Sequence, residues 1–251
     1  MDVQKYLDRI KYAGPLEPSV DTLRGLHKAH MLTVPFENLD IHLGRPIVLD
    51  DDVFFKKIVG RRRGGFCYEL NGLFAALLRE VGFDVTMLSA GVAGPNSRFG
   101  PDFDHMALRV ALEEEWLADV GFGDSFIEPI RLKPSIVSED STGAYRVDAN
   151  GDHNLMSRRG DEGEASWTPQ YRFTLAPREL QQYREMCFYQ QTSPESHFTR
   201  QRICSLATDT GRITLSDLKL ITTTSGVRDE RMLAGEDEFN SVLGDHFGIV
   251  I

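Results

Sequence analysis

Apolar residues recur at three- and four-residue spacing through the first third of the chain, and the period shortens towards two after Val85. Leu70, Leu73, Phe74, Leu77, Leu78 and Val81 form one stripe of a buried helix, which Gly82 is placed to end in a left-handed turn. Val3, Tyr6, Leu7 and Ile10 give a shorter helix capped by Asp2, and Ser19 caps a second that carries Leu23, Leu26 and His30 inward. A third is expected over Asp50–Val59, capped by Asp50 or Asp51, with Val53, Phe54 and Ile58 inward and Lys56 and Lys57 outward. Between the second and third, Pro35, Gly44 and Pro46 break the pattern into an irregular segment. Downstream, VTMLSAGV, HMALRVAL, WLADV, AYRVDA, NLMSRR and YRFTL read as short strands separated by turns, the spacing of a small barrel or sandwich. Residues 177–191 return to a helical pattern, and RICSLAT and GRITLSDLKLITTT then give strands before a closing helix at Asp237–Phe247.

Composition narrows the class. The 251 residues are 41% hydrophobic, enough for a sizeable core, and neither repeats nor low-complexity tracts interrupt them. Three widely spaced cysteines argue against a disulfide framework or zinc ribbon and fit a reducing, cytoplasmic setting. No run approaches the ~18 apolar residues of a membrane span. The net charge of −10 argues against general nucleic-acid binding. His27 and His30 have helical spacing, but no further ligand completes a metal site near them, so no metal is expected.

The candidate chemistry centres on RRRGGFCYELN at residues 61–71, which puts Cys67 in the first turn of the most strongly periodic helix. Unpaired N–H groups and the dipole there favour a thiolate, lowering a thiol pKa from about 8.5. Gly64 and Gly65 would leave room for a reacting carbonyl. A free cysteine is also often just a small buried hydrophobe, the reading kept for Cys187 and, in a strand, for Cys204. His105, opening a strand, and Asp119, ending another, could converge on Cys67 as base and orienting group. Glu37 and Arg63 are open to two readings, separate solvated charges or a buried pair, and Arg61 and Arg62 read as a solvated helix end or a phosphate contact.

Four stretches make the chain resemble the arylamine N-acetyltransferases: VPFENLDIHLGRPI (34–47), RGGFCYELNGLF (63–74), DHMALRV (104–110) and WLADVGFG (116–123). SPESHFTRQRIC (193–204) is a looser match, and Phe66 stands where that family usually has Tyr or Trp. The resemblance implies an α+β fold of three-part, cysteine-protease-like architecture: a helical unit over 1–84 carrying the nucleophile, a β-barrel unit over 85–190 and an α/β unit over 191–251. It implies a Cys67–His105–Asp119 triad, places Phe36 on the acceptor pocket and favours the buried pairing of Glu37 with Arg63.

The implied reaction takes an acetyl group from acetyl-CoA onto Cys67 and passes it to an arylamine, arylhydrazine or arylhydroxylamine. Phe36, Phe66, Phe122 and Phe198, with Val92 and Gly123, would line the substrate site, an apolar setting that suits an aromatic amine and discourages hydrolysis. The N–H of Cys67 and one from an Ala90–Val92 turn are the expected oxyanion donors. Other readings remain: an amide synthase fed by a carrier-bound acyl group, a thiol hydrolase or transglutaminase-like enzyme, and a non-catalytic binding protein. A monomer or homodimer is compatible with the sequence.

Overall fold

The computed structural model describes residues 1–95, 98–159 and 166–251. Helices α1 (Val3–Ile10) and α2 (Val20–Met31) begin where Asp2 and Ser19 accept the backbone N–H groups of Lys5 and Thr22, satisfying donors that the first helical turn leaves open. After strand β1 (Phe36–Glu37) and the short α3 (Leu39–His42), α4 (Asp51–Phe55) starts on an Asp50 cap and widens into a π-helical turn over Lys56–Gly60. The expected inward face is altered by that widening. Phe54 and Ile58 are buried, but Val53 is exposed and Lys57, expected in solvent, points inward.

Lys57 turns inward because carboxylates are waiting for it. Its Nζ lies 2.9 Å from Glu69, 3.0 Å from Asp40 and 3.8 Å from Glu37. Burial alone would strip the ammonium of its proton, yet Glu69, Glu37 and Asp40 outweigh it and hold the pKa above its ordinary value. Arg63 completes the cluster at 2.8 Å from Glu37 and 3.2 Å from Asp40, so the expected Glu37–Arg63 pair is part of a larger network. Arg45, half exposed, reaches Asp40 at 3.7 Å as a third cation, and the N–H groups of Leu39 and Phe66, donated to Glu37 and Glu69, add to the stabilisation of the carboxylates.

Helix α5 (Cys67–Val81) is the axis of the molecule, with Leu70, Leu73, Phe74, Leu77 and Leu78 all buried, and it ends on Gly82 at φ +105°. Two antiparallel sheets follow. Strands β2 (Asp84–Val92), β3 (His105–Ala111), β4 (Glu115–Ala118), β5 (Ile130–Arg131), β6 (Val137–Asp140), β7 (Gly143–Asn150), β8 (His153–Arg159) and β9 (Trp167–Phe173) form an eight-stranded sheet. Its order is β5-β4-β3-β2-β9-β8-β7-β6, and it curls until β5 lies against β7, a nearly closed barrel with its own apolar core. One face of β2 and β3 packs on α5. Ala90–Val92 completes the strand expected over VTMLSAGV and is not the turn expected to supply an oxyanion donor: Ala90 pairs with His105, and the Val92 N–H is taken by Asp104 at 3.1 Å.

A 3₁₀ turn at Leu180–Tyr183 leads into α6 (Arg184–Thr192), which buries Tyr183 and Cys187, and then into α7 (His197–Arg200). The second sheet has the order β1-β10-β11-β12-β13, from β10 (Ile203–Thr208), β11 (Gly211–Ser216), β12 (Lys219–Thr224) and β13 (Val227–Met232), and helix α8 (Glu236–Phe247) packs its Phe239, Val242 and Leu243 on it. The charged, fully exposed β13 lacks the apolar alternation that marks a strand in sequence. Strand β1 comes from the first segment, so Phe36 and Glu37 tie the helical part to the final sheet. Among the described residues, no helix is long and apolar enough to cross a membrane.

Candidate active site

A cavity of about 1050 Å³ opens between the helical part, the barrel and the final sheet. Cys67 reaches it from the first turn of α5 and His105 from the start of β3. Phe36, Val92, Phe122, Gly123 and Phe198 contribute further wall. Asp119 stands behind His105, with no exposed surface. Phe66 is not on the wall: its ring is wholly buried, edge-on to Tyr68 and Phe198, and it supports Phe198 from behind.

The sequence separates His105 from Asp119, but their strands are neighbours, and Asp119 is the first residue beyond the last β3–β4 ladder pair, Leu108 with Ala118. His105 Nε2 donates to Asp119 Oδ2 at 2.7 Å. The other carboxylate oxygen accepts from Asn71 Nδ2 at 2.8 Å and from the Gly121 N–H at 3.0 Å. Burial opposes the charge on Asp119, but His105, Asn71 and Gly121 overcome that and hold its carboxyl below the usual range. Phe122 and Tyr171 pack against the imidazole at 5.2 Å each, which restricts its rotation.

Cys67 is almost fully buried, and burial, with Asp104, Cys187 and Asp119 adding to it, pushes its thiol well above the ordinary value; the Met106 N–H partly offsets this. The helix terminus alone therefore does not make a thiolate, contrary to the expectation drawn from position. Burial of the sulfur outweighs the favourable helix end. An anion here requires a cation beside it.

The glycines before Cys67 have a different use from the one expected. A Cβ on Gly64 would lie 2.0 Å from the Pro35 carbonyl oxygen, and Gly65 forms a parallel bridge with Phe36. They let the PFE segment dock on the helix start. The glycine that makes room at the nucleophile is Gly121, where a Cβ would meet Cys67 Cα at 2.8 Å and its carbonyl oxygen at 2.9 Å.

Two residues of the site escape sequence reasoning. Asn71, one turn after Cys67, also donates to Met106 O at 2.6 Å and accepts the Val120 N–H at 2.9 Å. A fully buried amide inside an apolar stripe was its only mark in the sequence. His27 accepts the Asp119 N–H and is discussed below. Arg61 and Arg62, considered for phosphates, face a separate groove with Lys5 and Lys56. The final sheet adds Ser205, Arg212, Thr214, Thr223 and Arg228 to the cavity wall, beside polar groups from elsewhere such as Asp104, Gln190, His197 and Arg200.

The family model described as N-acetyltransferase matches residues 19–251. The chain belongs to the arylamine N-acetyltransferase family. It is 36% identical to the arylamine N-acetyltransferase of Escherichia coli (strain K12), over 97% of this chain and 87% of that protein. Proansamycin X synthase of Amycolatopsis mediterranei (strain S699) is 30% identical over 98% of each chain. The solved arylamine N-acetyltransferase of Mycobacterium marinum in complex with CoA superposes with a TM-score of 0.92 at 33% identity, covering 99% of this chain and 93% of the other.

Proposed function

We propose that the protein transfers an acetyl group from acetyl-CoA to the nitrogen of arylamines or arylhydrazines, and to arylhydroxylamines, through an acetyl-Cys67 intermediate. The observation that carries this reading is a buried thiol sharing a cavity wall with an imidazole whose far nitrogen is held by a buried carboxylate. With Nε2 committed to Asp119, Nδ1 is the nitrogen left to take the Cys67 proton. The thiolate then forms only as an ion pair with imidazolium, which Asp119 stabilises.

The pair attacks the thioester carbonyl, and the sulfur–carbonyl bond to the coenzyme breaks. The departing coenzyme thiolate takes up the proton from His105, leaving acetyl-Cys67. In the second half the amine attacks and the tetrahedral intermediate expels Cys67. His105 accepts the proton that the nitrogen must lose. Phe36, Phe122 and Phe198 offer an aromatic acceptor an apolar wall and limit water, while Arg212, Arg228 and the hydroxyls of Ser205, Thr214 and Thr223 suit the anionic end of the donor.

Steady-state kinetics test the reading. Varying acetyl-CoA against an arylamine should give parallel double-reciprocal lines, the mark of a covalent intermediate discharged by a second substrate. Intersecting lines would exclude it, and turnover by water at the same rate without amine would favour a hydrolase. Activity with a carrier-bound acyl group but none with acetyl-CoA would favour an amide synthase.

A further inference from the structure

His27 lies on α2, far from the cavity wall, yet its imidazole bridges both ends of the loop that carries Asp119. Nδ1 is 2.8 Å from the carbonyl oxygen of Ile127, and Nε2 is 3.1 Å from the backbone nitrogen of Asp119. A carbonyl oxygen can only accept, so Nδ1 bears the proton. A peptide N–H can only donate, so Nε2 offers its lone pair. One neutral tautomer satisfies both.

The position matters because Asp119 is beyond the last ladder pair, and no strand partner receives its N–H. The histidine ring replaces that partner. It is held by Phe126, stacked at 5.7 Å with planes 21° apart, and by Phe74, edge-on at 5.8 Å. Residues 119–127 include Phe122, Gly123 and Asp124 of the cavity wall, so the ring closes the base of a loop that carries both the triad carboxylate and part of the substrate site.

We propose that His27 is a positioning residue for the transfer reaction, its neutral imidazole pinning the Asp119 N–H and the Ile127 carbonyl so that the Asp119 carboxylate is aimed at His105. This rests on the reading of Cys67, His105 and Asp119 as the transferring triad. Burial of the ring lowers its proton affinity below the ordinary histidine value, in keeping with a ring that stays neutral while it works.

The test compares His27→Gln and His27→Leu with the parent and with Asp119→Asn, reading carboxamidomethylation of Cys67 by iodoacetamide against pH, mapped by peptide mass. A glutamine amide oxygen can take the place of Nε2, whereas leucine offers no acceptor. His27→Leu should slow alkylation at pH 7 about tenfold and move its pH midpoint in the same direction as Asp119→Asn. His27→Gln should stay within about threefold of the parent. A His27→Leu profile matching the parent would overturn the proposal, as would His27→Gln falling as far as His27→Leu. Loss of fold in both variants would make His27 a core residue only. Nitrogen-15 spectra of the unaltered protein give an independent reading: Nε2 unprotonated and Nδ1 protonated at pH 7 support the proposal, and the reverse tautomer overturns it. Alkylation needs no acetyl donor, so a protein inert towards acetyl-CoA with the predicted thiol profiles would fail the transfer reading while leaving His27 in its positioning role.

Discussion

Asn71 and Asp119 form the joint between α5, which carries Cys67, and the barrel, which carries His105: the amide nitrogen lies 2.8 Å from the carboxylate. The same side chain bonds Met106 and Val120, so one amide fixes the relative placement of α5, β3 and the β4 end. Asn71→Ala should leave those groups buried without partners and destabilise the protein by about 1–3 kcal/mol. Acetyl transfer should fall about a hundredfold as the geometry loosens, more than the lost stability explains. Urea unfolding and kcat measured on one preparation separate the two effects; unchanged kcat in folded protein would remove Asn71 from the site.

Gly121 is the point of closest approach to the nucleophile, and Gly121→Ala should be costly despite its small size. The new methyl would meet the Asn71 amide nitrogen at 2.7 Å and also the Cys67 backbone at 2.8 and 2.9 Å, and since backbone does not yield like a side-chain tip, either α5 or the loop must move. A stability loss of about 1–3 kcal/mol and a clear drop in Cys67 alkylation are expected. Gly60→Ala, where no atom lies within contact distance, serves as the control and should change neither.

Removing a cation from the buried network should act on stability before it acts on substrates. Arg63→Gln leaves Glu37 and Asp40 undercompensated, and Lys57→Met does the same to Glu69, each at about 3–5 kcal/mol. Arg61→Gln should be nearly silent, because Arg61 is exposed. Thermal unfolding and the acetyl-CoA KM of the three variants decide the matter: a raised KM with an unshifted Tm for Arg63→Gln would turn it from a structural cation into a coenzyme contact.

Two buried imidazoles predict the acid behaviour. Burial lowers the proton affinity of both His27 and His30 in the folded protein. The unfolded chain protonates each near pH 6.5 while the folded rings stay neutral, so their contribution is complete above about pH 6.5 and is lost as pH falls below it. Each contributes a slope of up to about 1.4 kcal/mol per pH unit until its folded ring titrates. Glu69 and Asp104, whose carboxyls burial pushes up, act with the opposite sign, so the comparison is between the parent and His30→Gln. Urea midpoints from pH 5 to 8 should fall more steeply on the acid side for the parent; parallel curves would contradict the assignment.

The longer helices and most strands were legible in the sequence, since each depends on local periodicity, and Cys67, His105 and Asp119 were singled out from motifs; the four-residue α3 and α7 are too short to carry a period. Lys57 was not, because a lysine on a helix face reads as solvated unless the carboxylates that draw it inward are known to be near. Ala90–Val92 reads in the sequence both as the end of the VTMLSAGV strand and as a turn, and the strand reading is the right one; at Gly91 the missing side chain admits the Gly100 carbonyl, 2.4 Å from where a Cβ would sit. Strand β13 was invisible since exposure on both faces removes the alternation. Phe66 was counted with the other cavity aromatics, although its place before Cys67 turns it into the core between Tyr68 and Phe198. Asn71 shows only as an amide within an apolar stripe and His27 only by its helical spacing with His30, because their importance comes from partners 48 and 92 residues away.

The central claim is that Cys67, and neither of the other two buried cysteines, carries the acetyl group. Incubation with acetyl-CoA in the absence of an amine, followed by intact mass and peptide mapping, measures this directly. One acetyl group on the Cys67 peptide, discharged when an arylamine is added and absent in Cys67→Ser under thioester-selective detection, is the predicted result. Acetyl on Cys187 or Cys204, or an adduct that the amine does not remove, would contradict it.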